Sequence, residues 1–136
     1  MNIFRSLLCI FAALASLPSF AESEYKCNSS GLQQEMEACA RDDFNRADKE
    51  LNKAYQALIK KEADDPLFVS KLRAAQKAWL VFLEADLDAQ FACPEEESKL
   101  VCWGSMYPMS YLTRKAELTR ERTKHLQRLL NEGHGE

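Results

Sequence analysis

Apolar side chains recur every three or four residues along nearly the whole chain beyond residue 30, which is the spacing of one face of an α-helix. Four glycines and four prolines among 136 residues are too few for the many turns of an all-β fold. We therefore predict an all-α protein with three long helices. Their apolar stripes are Leu32, Met36, Ala40, Phe44, Ala47, Leu51, Tyr55 and Leu58; Phe68, Leu72, Ala75, Trp79 and Phe82; and Met109, Leu112, Ala116, Thr119, Thr123, Leu126 and Leu130.

Residues at the ends of these stripes predict where the helices begin. Ser30, with a glutamine three residues later, is typical of a capping box at the start of helix 1. Asp65 and Pro66 suit the N-cap and first position of helix 2, Pro108 suits the start of helix 3, and residues 92–107 form a loop between the two. The short connection between helices 1 and 2 makes them antiparallel neighbours. One pole therefore collects the start of helix 1, the end of helix 2 and the start of helix 3.

The first 21 residues have the pattern of a secretory signal peptide. Arg5 precedes an apolar segment at residues 7–17, and small residues stand at Ser19 and Ala21, where signal peptidase requires them. The apolar segment is too short for a spanning helix, which needs ~20 residues. We predict a signal peptide at 1–21, one helical domain at 22–136, and a location in the bacterial periplasm or outside the cell. A retained anchor is the alternative.

Cleavage would leave four cysteines, Cys27, Cys39, Cys93 and Cys102, all near the shared pole. An even number of cysteines in an exported chain predicts two disulfides, for which three connectivities exist. The cysteines lack the close spacing of metal ligands, and the only histidines are His125 and His134. We therefore expect neither a metal nor another cofactor.

The net charge of the chain limits the classes of partner that it is expected to bind. Cleavage would remove Arg5 and no acidic residue, leaving 17 basic and 21 acidic residues and a net charge of −4. Nucleic-acid binding depends on clustered lysines and arginines, so an acidic chain suits a basic protein better. No serine or threonine can be placed beside either histidine, and the acidic clusters are typical of exposed faces and caps. We expect a protein that is not an enzyme.

Five segments carry a resemblance to a known family. They are QEMEACA at 34–40, ADKELNKAY at 47–55, LRAAQKAW at 72–79, GSMYPM at 104–109 and ELTRER at 117–122. The chain resembles, from about Cys27 to Leu130, the short exported bacterial proteins typified by the N-terminal domain of the lysozyme inhibitor LprI. The resemblance implies an all-helical, disulfide-bonded envelope protein. Lysozyme inhibition belongs to the member that gives the family its name.

The resemblance also bears on the disulfides. Relatives usually carry cysteines where this chain has Leu87 and Arg114, and an arginine where it has Leu83. The joint absence of the two cysteines implies that they form one bridge in relatives, which leaves Cys27 to pair with Cys39 and Cys93 with Cys102. A bridge from Cys39 to Cys93 or Cys102 stays open, because all four lie near one pole. The predicted fold is an elongated antiparallel three-helix bundle with a disulfide-stapled loop between helices 2 and 3.

Polar residues of the shared motifs suggest a structural role. Asp48, Asn52, Gln76 and Arg122 flank the apolar stripes at similar heights above the shared pole. We predict that Asp48 or Asn52 joins Gln76 and Arg122 in a partly buried polar layer that fixes the register of the helices. Trp79 and Tyr55 are predicted core aromatics rather than a ligand cage.

The loop carries the predicted partner-binding residues. Glu95, Glu96 and Glu97 form an acidic run, followed by Trp103, Met106 and Tyr107. An acidic rim with aromatic anchors suits the surface of a basic protein such as a lysozyme-type cell-wall hydrolase. In the alternative, Trp103 and Tyr107 cap the open pole and the glutamates keep it soluble.

These features together lead to one functional hypothesis and its rivals. The leading hypothesis is a periplasmic, non-enzymatic binding protein that inhibits a lysozyme-type muramidase. The rivals are an envelope structural or stress module without an enzyme target, and an immunity protein against a delivered cell-wall hydrolase. Helix faces outside the core leave room for a dimer.

Overall fold

The computed structural model describes residues 25–135, in which every secondary-structure element is a helix. The elements are α1 (Gln33–Lys61), α2 (Pro66–Gln90), α3 (Lys99–Trp103) and α4 (Tyr107–Glu132). The all-α prediction is confirmed, with a short fourth helix inside the predicted loop. None of the helices in this part of the chain has a stretch long and apolar enough to cross a membrane. The predicted signal peptide at 1–21 lies outside the described residues.

Two of the three predicted helix starts are confirmed. The Asp65 carboxylate accepts a hydrogen bond from the backbone N–H of Phe68 at 2.9 Å, and Pro66 opens α2. Pro108 lies in the first turn of α4. The start predicted at Ser30 is wrong. Its N–H donates to the Asn28 side chain at 3.2 Å, so the chain is still turning there.

The true N-cap of α1 is Leu32. Its backbone N–H donates to the Glu35 carboxylate at 2.7 Å, which satisfies one of the free donors at the helix start. The helix therefore begins two residues later than the serine suggested, because the acidic residue in its first turn and not the hydroxyl provides the cap.

Helices α1 and α4 lie closely against each other. Ala40, Ala47 and Ala54 recur every seven residues along the buried side of α1, and Thr119 and Thr123 lie buried on α4. Small side chains at a helix contact allow the two backbones to approach. The buried hydroxyls donate within α4, from Thr119 to the carbonyl of Lys115 at 2.7 Å and from Thr123 to that of Thr119 at 2.9 Å. No buried threonine therefore lacks a hydrogen-bond partner in this contact.

Hydrogen bonds at the two poles give the directions of the helices. The Gln33 side chain, at the start of α1, donates to the carbonyl of Ser105, which precedes α4. At the other pole, Lys61 Nζ donates to the carbonyl of Leu130 at 2.8 Å. Helices α1 and α4 therefore run parallel, and α2 returns between their ends in the opposite direction. The first pole holds both disulfides and α3, and we call it the α3 pole.

Large side chains of α2 complete the core. One cluster joins Leu72 to α1 and α4, a second joins Leu83, Leu87 and Phe91 to α4, and Trp79 packs against both. The prediction that Trp79 and Tyr55 are core aromatics agrees with this packing. The second core cluster is not the stripe expected from the sequence, because that stripe ran through Ala75 and Phe82.

Ala75 and Phe82 are exposed, and this part of the predicted core is wrong. Consecutive residues of a helix point ~100° apart, so Phe82 and Leu83 cannot both face one neighbouring helix squarely. The face that begins at Leu72 continues through Leu83 and turns Phe82 outward.

The two disulfides join the pairs that the resemblance implied. Cys27–Cys39 ties the segment before α1 to that helix, and Cys93–Cys102 closes the loop that contains most of α3. A bridge across about ten residues stabilises a folded chain by about 2–3 kcal/mol, chiefly by restricting the unfolded chain. The Cys93–Cys102 disulfide therefore fixes the loop after α2 in addition to the contacts between the helices.

Candidate partner-binding surface

Four apolar side chains in and directly after α3 are exposed to solvent. The exposed fractions are 56% for Leu100, 71% for Val101, 46% for Trp103 and 40% for Met106. Monomeric proteins seldom expose apolar side chains in groups, and such groups mark interaction sites. We call these four residues the α3 patch.

The backbone of α3 is fixed at both ends. Ser98 is its N-cap, with the hydroxyl accepting from the backbone N–H of Val101 at 3.3 Å. Gly104 ends the helix at φ 71°, a left-handed conformation that glycine adopts without steric cost. Lys99 Nζ donates to the carbonyl of Phe91, so the short helix is also bound to the end of α2. The Cys93–Cys102 bridge holds the same segment covalently.

Trp103 is half exposed and half packed. Its indole N–H donates to the carbonyl of Ala92 at 3.2 Å, and its ring meets that of Phe91 edge-on with the centroids 5.6 Å apart. The indole is therefore held by these two contacts while about half of its surface faces solvent. An aromatic ring held in this way can bind a partner at little cost in conformational entropy.

Tyr107 occupies a different position from Trp103. Its ring packs against Phe91 at 5.5 Å and Tyr111 at 5.8 Å, and it lies against the second core cluster. The structure thus separates the three predicted anchors. Trp103 and Met106 lie at the surface, and Tyr107 covers the end of the core, as the capping alternative expected for that residue.

The three predicted glutamates lie beside the patch, and all are exposed. Within residues 25–135, none of Glu95, Glu96 and Glu97 forms a salt bridge. A Glu97 carboxylate oxygen lies 3.3 Å from Cys102 Sγ, close to Cys93. Both sulfurs belong to the disulfide and cannot serve as thiolate ligands, so this group does not form a metal site.

Leu100 and Val101 were missed by the sequence reasoning. Helical periodicity is visible only over several turns, and α3 is five residues long. A local signal was nonetheless present, because Ser98 precedes the apolar residues in the position of an N-cap. Treating residues 92–107 as one loop concealed it.

The structure brings together two of the residues predicted for the polar layer. Arg122 Nε donates to Gln76 Oε1 at 3.0 Å, linking α4 to α2, and burial lowers the pKa of the Arg122 guanidinium. Asp48 and Asn52 lie outside this contact. Asn52 Nδ2 donates to the backbone carbonyl of Asp48 at 2.9 Å and to its carboxylate at 3.0 Å, on an exposed face of α1. Their side chains satisfy each other within one helix, so the predicted layer reduces to a pair.

We expect Arg122→Ala to lower the free energy of unfolding by about 1–2 kcal/mol, because it leaves the partly buried Gln76 amide without its charged partner. Arg120→Ala is the matched control. Arg120 is exposed, and its bond to Asp43 at 2.8 Å is of the surface type, which contributes about 0–1 kcal/mol. Urea denaturation measures both. Equal losses of unfolding free energy for the two variants would show that the Gln76–Arg122 pair stabilises the fold no more than a surface ion pair does.

Another polar contact between α2 and α4 lies nearer the α3 pole. Lys115 Nζ donates to Glu84 at 2.7 Å and holds the pKa of that carboxyl below its ordinary value. The Tyr111 hydroxyl donates to the same carboxylate at 3.0 Å, and burial together with this bond raises the pKa of Tyr111 to about 12. Each of these groups binds another protein group, so they serve the contact between helices.

The two histidines have different surroundings. Burial and the nearby Arg122 and Arg128 lower the pKa of His125. His134 stacks on Phe68, with the ring centroids 4.1 Å apart. In the described part of the chain, neither imidazole is hydrogen-bonded to a hydroxyl or a thiol.

Comparison with known proteins bears on the family. A family model described as "Lysozyme inhibitor LprI" matches residues 24–126. An uncharacterized protein of Rhizobium meliloti (strain 1021) is 34% identical over an aligned length of 135, and the alignment covers 91% of this chain and 88% of that protein. No solved structure matches the chain. Because the family match spans the four helices up to residue 126, the protein belongs to the LprI lysozyme inhibitor family, as its sequence motifs predicted.

Proposed function

We propose that this protein is a non-enzymatic inhibitor of a lysozyme-type muramidase and acts in the periplasm or outside the cell. The observation that carries the proposal is the α3 patch, where apolar side chains stand exposed beside three glutamates on a loop closed by a disulfide. Membership of a lysozyme inhibitor family supports it.

The charge of the protein suits a basic target. Its formal net charge is −3, and Glu95, Glu96 and Glu97 concentrate negative charge beside the patch. Lysozymes of the animal type are strongly basic. Opposite charges on two proteins speed their association at low ionic strength, and they orient the encounter.

The glutamates and the patch have different tasks in this proposal. A muramidase cleft contains two catalytic carboxyl groups, which would repel further carboxylates. The glutamates therefore contact the basic rim of the target, while Leu100, Val101 and Trp103 cover the opening of the cleft. Because α3 is held at both ends, the patch loses little conformational freedom on binding.

The groove between α1 and α4 is less suited to the same task. It is lined by residues of both charges, including Asp43, Glu50, Arg120 and Lys124. Arg120 donates to Asp43 at 2.8 and 3.0 Å, so that a partner would have to break this pair. Neither a single sign of charge nor a group of exposed large apolar side chains favours one partner there.

Binding kinetics against a purified basic animal-type lysozyme test the proposal. We expect association to slow as salt rises through a few hundred millimolar, where the Debye length falls below about 8 Å. Replacing Glu95, Glu96 and Glu97 together by glutamine should slow association by about tenfold at low salt and leave dissociation nearly unchanged. Replacing Asp42 with asparagine and Glu50 and Glu121 with glutamine changes the net charge equally, at exposed sites on α1 and α4.

These outcomes separate a local site from a general attraction. If the control triple variant slows association as much as the loop variant, the net charge and not the α3 pole governs the encounter. Absence of binding at low salt would remove the support for this class of target.

A further inference from the structure

One side of α2 presents apolar side chains to solvent and is interrupted by one charged residue, Lys71. Its large members are Leu67, Val81 and Phe82, with exposed fractions of 68%, 67% and 56%. Between and beside them lie five exposed alanines, namely Ala74, Ala75, Ala78, Ala85 and Ala89. At ~100° per residue, these eight side chains fall within an arc of about 120°. We call this surface the outer face of α2.

The outer face has the pattern of a helix contact. Ala75, Ala78, Phe82, Ala85 and Ala89 follow one another at intervals of three and four residues, which is the spacing of a seam between two helices. The core of the chain uses the opposite side of α2, through Leu72, Leu83 and Leu87. The fold therefore leaves a second helix-packing seam uncovered in the described residues.

Charged residues divide α2 into two halves. Lys71, Arg73 and Lys77 lie in its first half, and Glu84, Asp86 and Asp88 in its second. Lys71 and Asp88 lie near the two ends of the outer face, are exposed, and make no salt bridge with any residue between 25 and 135. They are 17 residues apart, or about 26 Å along the helix.

We propose that the outer face of α2 pairs with the same face of a second copy of this chain, in an antiparallel homodimer. The charges favour this occupant, because antiparallel pairing sets the basic half of each helix against the acidic half of the other. Parallel pairing would oppose like charges. A two-fold axis also makes every contact occur twice, as an isologous interface requires.

The register follows from the two terminal charges. A two-fold axis level with the peptide between Trp79 and Leu80 sets Lys71 of each copy opposite Asp88 of the other. The same axis sets Ala74 opposite Ala85 and Ala78 opposite Val81, so that each of these pairs contains at least one alanine. Two helices can approach closely at such positions, as α1 and α4 do within the chain.

The dimer leaves the α3 patch free. Each α2 ends at the α3 pole of its own copy, and antiparallel pairing therefore sends the two poles to opposite ends. The inference is independent of the target proposed for the patch. An interface made by a single helix seam is small, and we expect it to dissociate in the micromolar range or above.

Sedimentation velocity of the purified protein, from about 1 µM to about 1 mM, tests the dimer. We expect a monomer at the low end and a dimer at the high end. Lys71→Glu and Asp88→Lys should each weaken dimerisation by about tenfold or more, since each opposes like charges at both ends of the seam. The double variant exchanges the two charges and should restore dimerisation. Both sites are exposed, so unchanged thermal melting of the monomer confirms folding.

Substitutions of two exposed apolar residues complete the test. Phe82→Lys should abolish dimerisation, because the stated register sets it against Lys77 of the other copy, whereas Leu80→Lys should not, because Leu80 is comparably exposed at 51% on the other side of the helix. A monomer at every concentration, whether or not the face binds another protein, would overturn the proposal. So would a dimer that the charge exchange fails to restore, because its register would then be different.

Discussion

Leu87→Ala should lower the free energy of unfolding by about 3 kcal/mol, within the range of about 2–5 kcal/mol measured for such truncations in well-packed cores. Leu87 is 0% exposed and packs with Leu83, Phe91 and Leu118 in the cluster that joins α2 to α4. The change removes apolar contacts and leaves a cavity that two long helices cannot easily close. Chemical denaturation monitored by circular dichroism measures the loss.

Leu80→Ala is the matched control, because it is the same change on the same helix, two turns away. Leu80 is 51% exposed, so we expect a loss below about 0.5 kcal/mol. The comparison should be made below about 1 µM, where the proposed dimer is dissociated. Similar losses at the two positions would mean that α2 faces α4 with a different side from the one described here.

Val101→Asp should speed dissociation from a basic muramidase by about 30-fold or more, the size of effect expected at the centre of an interface. Val101 is 71% exposed, so the change should not affect folding. At the opening of the cleft, the substitution removes apolar contact and also sets a carboxylate against the two catalytic carboxyl groups, so both effects favour dissociation. Trp103→Ala should act in the same direction, with some loss of stability because the ring packs on Phe91.

Leu67→Asp provides the control for this prediction. Leu67 is 68% exposed, nearly as much as Val101, and lies at the start of α2, at the pole opposite α3. It should leave binding to the muramidase unchanged. Equal effects of the two variants would show that the α3 patch does not form the interface.

The three long helices could be predicted from the sequence because each runs for about seven turns or more and buries a stripe against its neighbours. Local hydrogen bonds at Asp65 and the position of Pro66 made the start of α2 predictable. The start of α1 was predicted two residues too early, because Asn28 forms a turn that competes with a cap at Ser30. Such competition depends on backbone geometry that the residue types alone do not give.

The side of α2 that faces the core was only partly predictable. Leu72, Ala75, Trp79, Phe82 and Leu83 form an apolar band wider than one helix contact requires. Pattern alone cannot decide which edge of such a band is buried, and Phe82 was placed on the wrong side. The ambiguity has a physical source, since α2 carries both a core stripe and the exposed outer face.

The disulfide pairing was predicted from the resemblance, which implied cysteines in relatives at the positions of Leu87 and Arg114. Leu87 is buried, and Arg114 lies 3.8 Å from Asp86, the residue next to Leu87. The two positions therefore belong to facing parts of α2 and α4, as a bridge in relatives would require. Arg114 Nε is buried without a hydrogen-bond partner among the described residues, so the arginine fits this place less well than an apolar group.

The types of residue in the candidate binding surface could be predicted from the sequence, whereas the arrangement of their side chains could not. The glutamate run and Trp103 were visible in the sequence, while the exposure of Leu100 and Val101 depends on a helix of one and a half turns. For Tyr107, the sequence could not show whether the ring is buried or exposed. An aromatic residue next to a loop can cover the core or face solvent, and only its contacts with Phe91 and Tyr111 decide.

The most direct test of the account is the rate at which a basic animal-type lysozyme clears a suspension of cell walls at low salt, with and without the purified protein. We expect the protein to slow clearing in proportion to its concentration, with the effect lost in Val101→Asp and kept in Leu67→Asp. Clearing that proceeds at the same rate in a large excess of the protein would contradict the proposal that the α3 patch inhibits this enzyme.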